Sequence, residues 1–142
     1  MSRSAILLVG GMGTRLHPLT LSMPKPMLPV AGVPFTEHQI LKARDAGISE
    51  IVLATAFKAE IFQPYFGDGS KFGIDIKYAV EESALGTGGA IRNAANKLSN
   101  KGSTKELVAI FNGDVLSGHD LDEQFKFHEN NDADVSLYLT EV

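Results

Sequence analysis

The stretch Ser4-Ala5-Ile6-Leu7-Leu8-Val9-Gly10-Gly11-Met12-Gly13-Thr14-Arg15-Leu16 decides the fold class. Residues 4–9 form a continuous apolar run closed by glycines. That is the pattern of a strand buried on both faces, as strands are in parallel sheets covered by helices. Outward from it, short apolar runs alternate with helical patterns. Residues 35–46 suit a helix, with Phe35, Ile40, Leu41 and Ala43 as apolar positions and Gly47 as its stop. Residues 50–55 read as a second strand and 58–66 as a short helix ending near Pro64. Residues 74–80 read as a third strand, with Ile74, Ile76, Tyr78 and Val80 on one face. A helix over 88–98, a buried strand over 106–111, a helix over 120–130 and a fifth strand over 134–139 complete the series. This alternation predicts an α/β domain with a doubly wound, mostly parallel sheet. Ligands of such sheets bind at the carboxyl ends of the strands. The loops after the first, third and fourth strands are therefore the ones to read for chemistry.

The composition narrows the function classes. The chain has 142 residues, 13 Lys and Arg, 17 Asp and Glu, and a net charge of −4. A slightly acidic chain is a poor partner for nucleic acid. No cysteine is present, which excludes a disulfide, a thiolate metal site and a cysteine nucleophile. The apolar run 5–9 is too short for a signal-peptide core or a membrane span, so the reading is a cytoplasmic protein without a membrane partner. The charge is uneven. Residues 1–36 hold Arg3, Arg15 and Lys25 and no acid, and Glu37 is the first.

Each loop has a functional reading and a plain one. Gly10, Gly11 and Gly13 let several backbone N–H groups point one way, a nest for phosphate, and Arg15 adds a fork suited to phosphate oxygens. The plain reading is a glycine-rich turn. A Walker A loop is excluded because no Gly-Lys-Ser/Thr follows, and a dinucleotide fingerprint because Leu16 stands where its third glycine belongs. Lys25 lies between Pro24 and Pro26 on a proline-stiffened segment without acids. It is either a solvated surface lysine or the partner of an external anion. Glu81 and Glu82 precede a second glycine-rich turn, Gly86-Thr87-Gly88-Gly89. They form an exposed acidic turn or a base-reading site. A carboxylate only accepts hydrogen bonds, so Glu81 would favour guanine, whose N1–H and N2–H₂ are adjacent donors, over uracil. Asp114, at the tip of the strand ending Phe111-Asn112-Gly113, is either an Asx-turn or helix-capping aspartate or a ligand for Mg²⁺. The four histidines lack metal-site spacing.

Taken together, Gly10-Gly11-Met12-Gly13-Thr14-Arg15-Leu16, His17-Pro18-Leu19-Thr20 and Pro24-Lys25-Pro26-Met27-Leu28-Pro29-Val30 resemble the G-G-x-G-T-R-L-x-P-L-T…P-K-P pattern of sugar-1-phosphate nucleotidylyltransferases. Leu85-Gly86-Thr87-Gly88-Gly89-Ala90-Ile91 with Phe111-Asn112-Gly113-Asp114-Val115 looks most like their mannose-1-phosphate guanylyltransferase branch. The resemblance implies a Rossmann-like nucleotide-diphosphosugar transferase fold. It implies transfer of a nucleotidyl group from an NTP, with guanine favoured, to a sugar 1-phosphate, with mannose 1-phosphate favoured, and release of pyrophosphate. By that resemblance Gly10, Gly11, Met12, Gly13 and Thr14 bind nucleotide, and Arg15 and Lys25 are catalytic. Glu81 and Gly86 contact the base, and Asp114 holds Mg²⁺.

The resemblance spans the N-terminal, nucleotide-binding part of such enzymes. A second metal-binding Asp and a sugar-phosphate lysine are expected beyond Val142. Residues 1–142 by themselves are therefore expected to turn over nothing, and the sheet edge to invite self-association, with a homo-oligomer as one result. Two other readings stand beside this one. The first is uridylyl or thymidylyl transfer to another sugar phosphate. The second is a non-catalytic sugar-nucleotide-sensing module, against which the retention of Arg15, Lys25 and Asp114 argues.

Overall fold

β1 (Ser2–Leu8) is apolar on both faces, and the sheet is built around it. The computed structural model describes residues 2–56 and 59–141. After β1 come a two-residue-a-side hairpin, β2 (Pro29–Val30) and β3 (Val33–Pro34), and the helix α1 (Phe35–Asp45). Then follow β4 (Glu50–Thr55), α2 (Ala59–Phe66) and β5 (Asp75–Val80). The series ends with α3 (Gly86–Ala95), β6 (Glu106–Asn112) and α4 (Leu121–Asn130).

The four long strands make one parallel sheet in the order β5-β4-β1-β6. The chain steps outward from β1 through β4 to β5, then returns to the other side of β1. That reversal opens a crevice at the carboxyl ends, where ligands of open α/β sheets bind. Alternate side chains divide the core. Ala5, Leu7 and Val9 face one layer with Ile51, Leu53 and Ile76, covered by Ile40 and Ala43 of α1, Phe62 and Phe66 of α2, and Phe125 of α4. Ile6, Val52, Ala54 and Ala79 face the other layer, covered by Ala94 and Leu98 at and beyond the end of α3. Helices on both faces make the doubly wound α/β arrangement that the sequence pattern implies. Across the second layer, Val108 and Ile110 of β6 stay 41% and 50% exposed.

Boundaries shift where local chemistry overrides periodicity. α2 begins within the described residues at Ala59, and the expected start at Lys58 lies outside them. α3 begins at Gly86, two residues before the apolar period suggests, and ends at Ala95. Val80, expected on the buried face of β5, is 49% exposed at the strand's end. Asp120 caps α4, its carboxylate accepting from the N–H groups of Asp122 and Glu123 at 2.8 and 3.1 Å.

One expected element is absent. Residues 134–139 are not a strand, despite the alternation of Val135, Leu137 and Leu139. A strand exists by pairing, and this segment does not lie along the free edge of β6. It runs beside α4, where Ser136 Oγ meets His128 Nδ1 at 3.0 Å and Tyr138 stacks on His119 with ring centroids 3.8 Å apart. Its three alternating apolar residues are left exposed.

At the amino end of β4, Glu50 is buried and accepts hydrogen bonds from Lys77 Nζ, from Ser99 Oγ at 2.8 Å and from Ser99 N at 3.1 Å. Burial raises its carboxyl pKa, but the bonds from Lys77 and Ser99 outweigh that and hold it below the usual glutamate value. The stabilisation is present above the unfolded pKa, about 4.3, and is lost as pH falls through the lower folded value. Glu50→Gln is expected to cost the full-length protein about 1–3 kcal/mol at pH 7. Denaturant melts should show the gap to wild type closing as pH falls below about 4.3. A gap independent of pH would show that Glu50 folds uncharged.

Candidate active site

Two loops and one strand tip bring Lys25 and Asp114 together. The glycine loop after β1 turns at Gly13, whose φ is 62°, and continues as a short 3-10 turn over Thr14–Leu16. A Cβ on Gly13 would stand 3.0 Å from Thr20 Cγ2 and 3.1 Å from Lys25 Cβ. Only glycine both takes the left-handed conformation and lets the loop settle on the Lys25 segment. Thr20 Oγ1 secures this by donating to Gly13 O at 2.6 Å. Lys25 opens a second 3-10 turn, Lys25–Met27, anchored by the buried side chains of Pro26 and Met27. The hydroxyl of Thr36, on α1, donates to Pro26 O at 2.9 Å.

Asp114 follows β6 in a turn pressed against β1. Gly113 N donates to Leu8 O at 2.8 Å, and a Cβ on Gly113 would lie 2.3 Å from that same oxygen. Lys25 Nζ then donates to Asp114 Oδ2 at 2.9 Å, with both side chains about half exposed. Asp114 thus caps no helix. Its carboxylate faces a lysine across the crevice. Exposed pairs of this kind contribute little stability.

Beside this pair lies a cavity of about 410 Å³, within the range of small-ligand sites. Gly10 and Gly11 after β1 and Glu81, Ser83, Gly86 and Thr87 after β5 line it. Glu81 is held at the rim. Its N–H donates to Thr55 O at 2.9 Å, and its Oε2 accepts from Leu85 N at 3.3 Å. The other carboxylate oxygen has no protein partner among the described residues. Leu8, Ala54, Ala56, Ala90 and Asn112 also line the cavity, three of them alanines.

The structure therefore brings four expected nucleotide contacts, Gly10, Gly11, Glu81 and Gly86, to one cavity, and Lys25 and Asp114 to a second point beside it. Met12 is 65% exposed and, like Gly13, Thr14 and Arg15, does not line the cavity. Arg15 meets no partner among the described residues. Sequence reading passed over the end of β4, because Ala54-Thr55-Ala56 carries no reactive group. The signal available was position: it is a strand's carboxyl end in a parallel sheet.

Among the described residues no three His, Asp or Glu side chains cluster to hold a metal. Mg²⁺ arriving with phosphates needs only one or two protein carboxylates, and Asp114, about half exposed and paired with Lys25, is the one that could reach it.

Residues 4–142 match the Nucleotidyl transferase family. The chain is 52% identical to the mannose-1-phosphate guanylyltransferase of Mycobacterium tuberculosis, over 97% of this chain and 37% of that protein. It is 41% identical to the D-glycero-alpha-D-manno-heptose 1-phosphate guanylyltransferase of Aneurinibacillus thermoaerophilus, over 95% of this chain and 56% of that one. Among solved structures, HddC from Yersinia pseudotuberculosis complexed with GMP-PN superposes with a TM-score of 0.72 at 31% identity. That alignment covers 92% of this chain and 54% of HddC. The chain thus spans between about a third and somewhat over half of the length of these relatives.

Proposed function

Since the chain belongs to the Nucleotidyl transferase family, we propose that it is the nucleotide-binding part of a guanylyltransferase that joins GMP to mannose 1-phosphate. The observation that carries this reading is the meeting of Gly10, Gly11, Glu81 and Gly86 around one cavity, with Lys25 and Asp114 beside it. The guanine ring lies in this cavity beside Gly10 and Gly11, its N1–H and N2–H₂ donating to the Glu81 carboxylate. The triphosphate runs along the loop from Gly11 to Thr14. A phosphate oxygen of the sugar phosphate attacks the α-phosphorus, the bond to the bridging oxygen breaks, and pyrophosphate leaves. No covalent enzyme intermediate is needed. Lys25 and Arg15 neutralise charge on the α-phosphate and the departing group. Asp114 would hold Mg²⁺, which would supply further charge neutralisation at the phosphates.

Lys25 Nζ and Asp114 Oδ2 are paired at 2.9 Å. Nucleotide binding would exchange that pair for an ammonium–phosphate contact of Lys25 and would leave the Asp114 carboxylate to hold the metal. Both charges remain compensated before and after, so the exchange demands no unpaired charge.

The identity 52% with a mannose-1-phosphate guanylyltransferase and 41% with a heptose-phosphate guanylyltransferase supports guanine more firmly than it supports the sugar. The full-length protein, given each NTP with mannose 1-phosphate, is expected to release pyrophosphate fastest with GTP. Fastest release with UTP or dTTP would refute the assignment of Glu81 to guanine.

A further inference from the structure

α1 does more than cover the sheet. Thr36, Gln39 and Lys42, spaced three apart, form one row along the helix. Each reaches a loop at the carboxyl ends of the strands: Thr36 to Pro26 O, Gln39 to Asn112 O and Val115 O, and Lys42 to Ser117 O. Gln39 stands out. Its side chain is only 6% exposed, and its amide donates to Asn112 O at 2.8 Å and to Val115 O at 2.7 Å. Those two carbonyls bracket Asp114. Carbonyl oxygens only accept, so the amide nitrogen, with its two protons, must face them.

The amide oxygen of Gln39 is buried with no partner among the described residues. An unpaired buried acceptor is destabilising, and the two donated bonds offset it. What glutamine supplies and leucine does not is the clamp on both sides of Asp114.

We propose that Gln39 is a positioning residue that holds the Asp114 turn in the geometry that binds the divalent metal of the nucleotide complex. This rests on the proposed role of Asp114. Gln39 touches neither metal nor nucleotide. It sets the backbone from which the carboxylate projects, as partners beyond the direct ligands do at metal sites, where their loss costs about 10–100-fold in affinity.

The test uses the full-length protein. Binding of Mn²⁺ to the GTP complex is followed by the electron paramagnetic resonance signal of free Mn²⁺, in wild type, Gln39→Leu, Gln39→Met, Asp114→Asn and the Gln39→Leu/Asp114→Asn double variant. Folded Gln39→Leu or Gln39→Met is expected to bind Mn²⁺ about 10–100-fold more weakly than wild type. In the Asp114→Asn background, Gln39→Leu is expected to add less than about twofold, because the clamp then has no ligand to position. Wild-type Mn²⁺ affinity in a folded Gln39 variant would overturn the proposal. So would an equal loss in both backgrounds, or failure of both single Gln39 variants to fold, since either makes the bonds merely structural. If Asp114→Asn itself binds Mn²⁺ as wild type does, the metal role of Asp114 fails first and this inference falls with it.

Discussion

Replacing Lys25 by alanine in the full-length protein is expected to lower kcat/KM by about 10²–10³-fold while leaving the melting temperature close to wild type. The size follows from the role. A preorganised cation aimed at charge that develops on phosphate is worth about as much as one oxyanion-hole donor. The small effect on stability follows from the environment. Among the described residues Lys25 Nζ is bound only to Asp114, and both side chains are about half exposed, so the pair contributes little to folding. Its neighbours Pro26 and Met27 carry the packing of that segment and are untouched. Pyrophosphate release and a thermal melt, run on the same preparation, check both parts. Activity within about threefold of wild type would remove Lys25 from the reacting phosphates. It would also revive the reading of a sensing module that uses this fold without catalysis.

Gly113→Ala is expected to damage both folding and function. The added Cβ would sit 2.3 Å from Leu8 O and 2.9 Å from Val9 Cγ1, and neither atom can retreat far. Leu8 belongs to the central strand, whose register on both sides is fixed by β4 and β6. The turn after β6 must move instead, breaking the 2.8 Å bond from Gly113 N to Leu8 O and carrying Asp114 with it. Overpacking of this kind costs about 1–3 kcal/mol. Displacing a catalytic group by about 1 Å costs about 10²-fold in rate. Denaturant melts and steady-state rates on the full-length protein measure the two effects. Gly118→Ala is the control, because nothing stands within 4 Å of a Cβ there. A Gly113→Ala protein with wild-type stability and rate would mean that the turn is not pinned as described.

The parallel sheet was legible from residues 4–11 because a strand buried on both faces leaves a continuous apolar run. Lys25 and Asp114 were legible one at a time, each with a plain alternative of surface charge or turn aspartate. That the two meet, 89 residues apart in sequence and 2.9 Å apart in space, was not legible in either segment. The expected strand over 134–139 failed for the converse reason. Alternation records which side chains could face a core, but a strand also needs a partner edge, and this segment runs along α4.

Gln39 shows the same division. Within α1 it reads as one more polar residue on an amphipathic helix, and no spacing marks it. Its importance comes from two carbonyls more than 70 residues away. The sequence by itself determined the fold class, the glycine loop and the types of charge available, because those depend on local backbone freedom and on patterns of burial. Only the tertiary structure decided which of those charges face each other, which small residues leave the cavity open, and which helix holds the Asp114 turn. Those depend on distances between segments far apart along the chain, and a linear pattern carries no such distances.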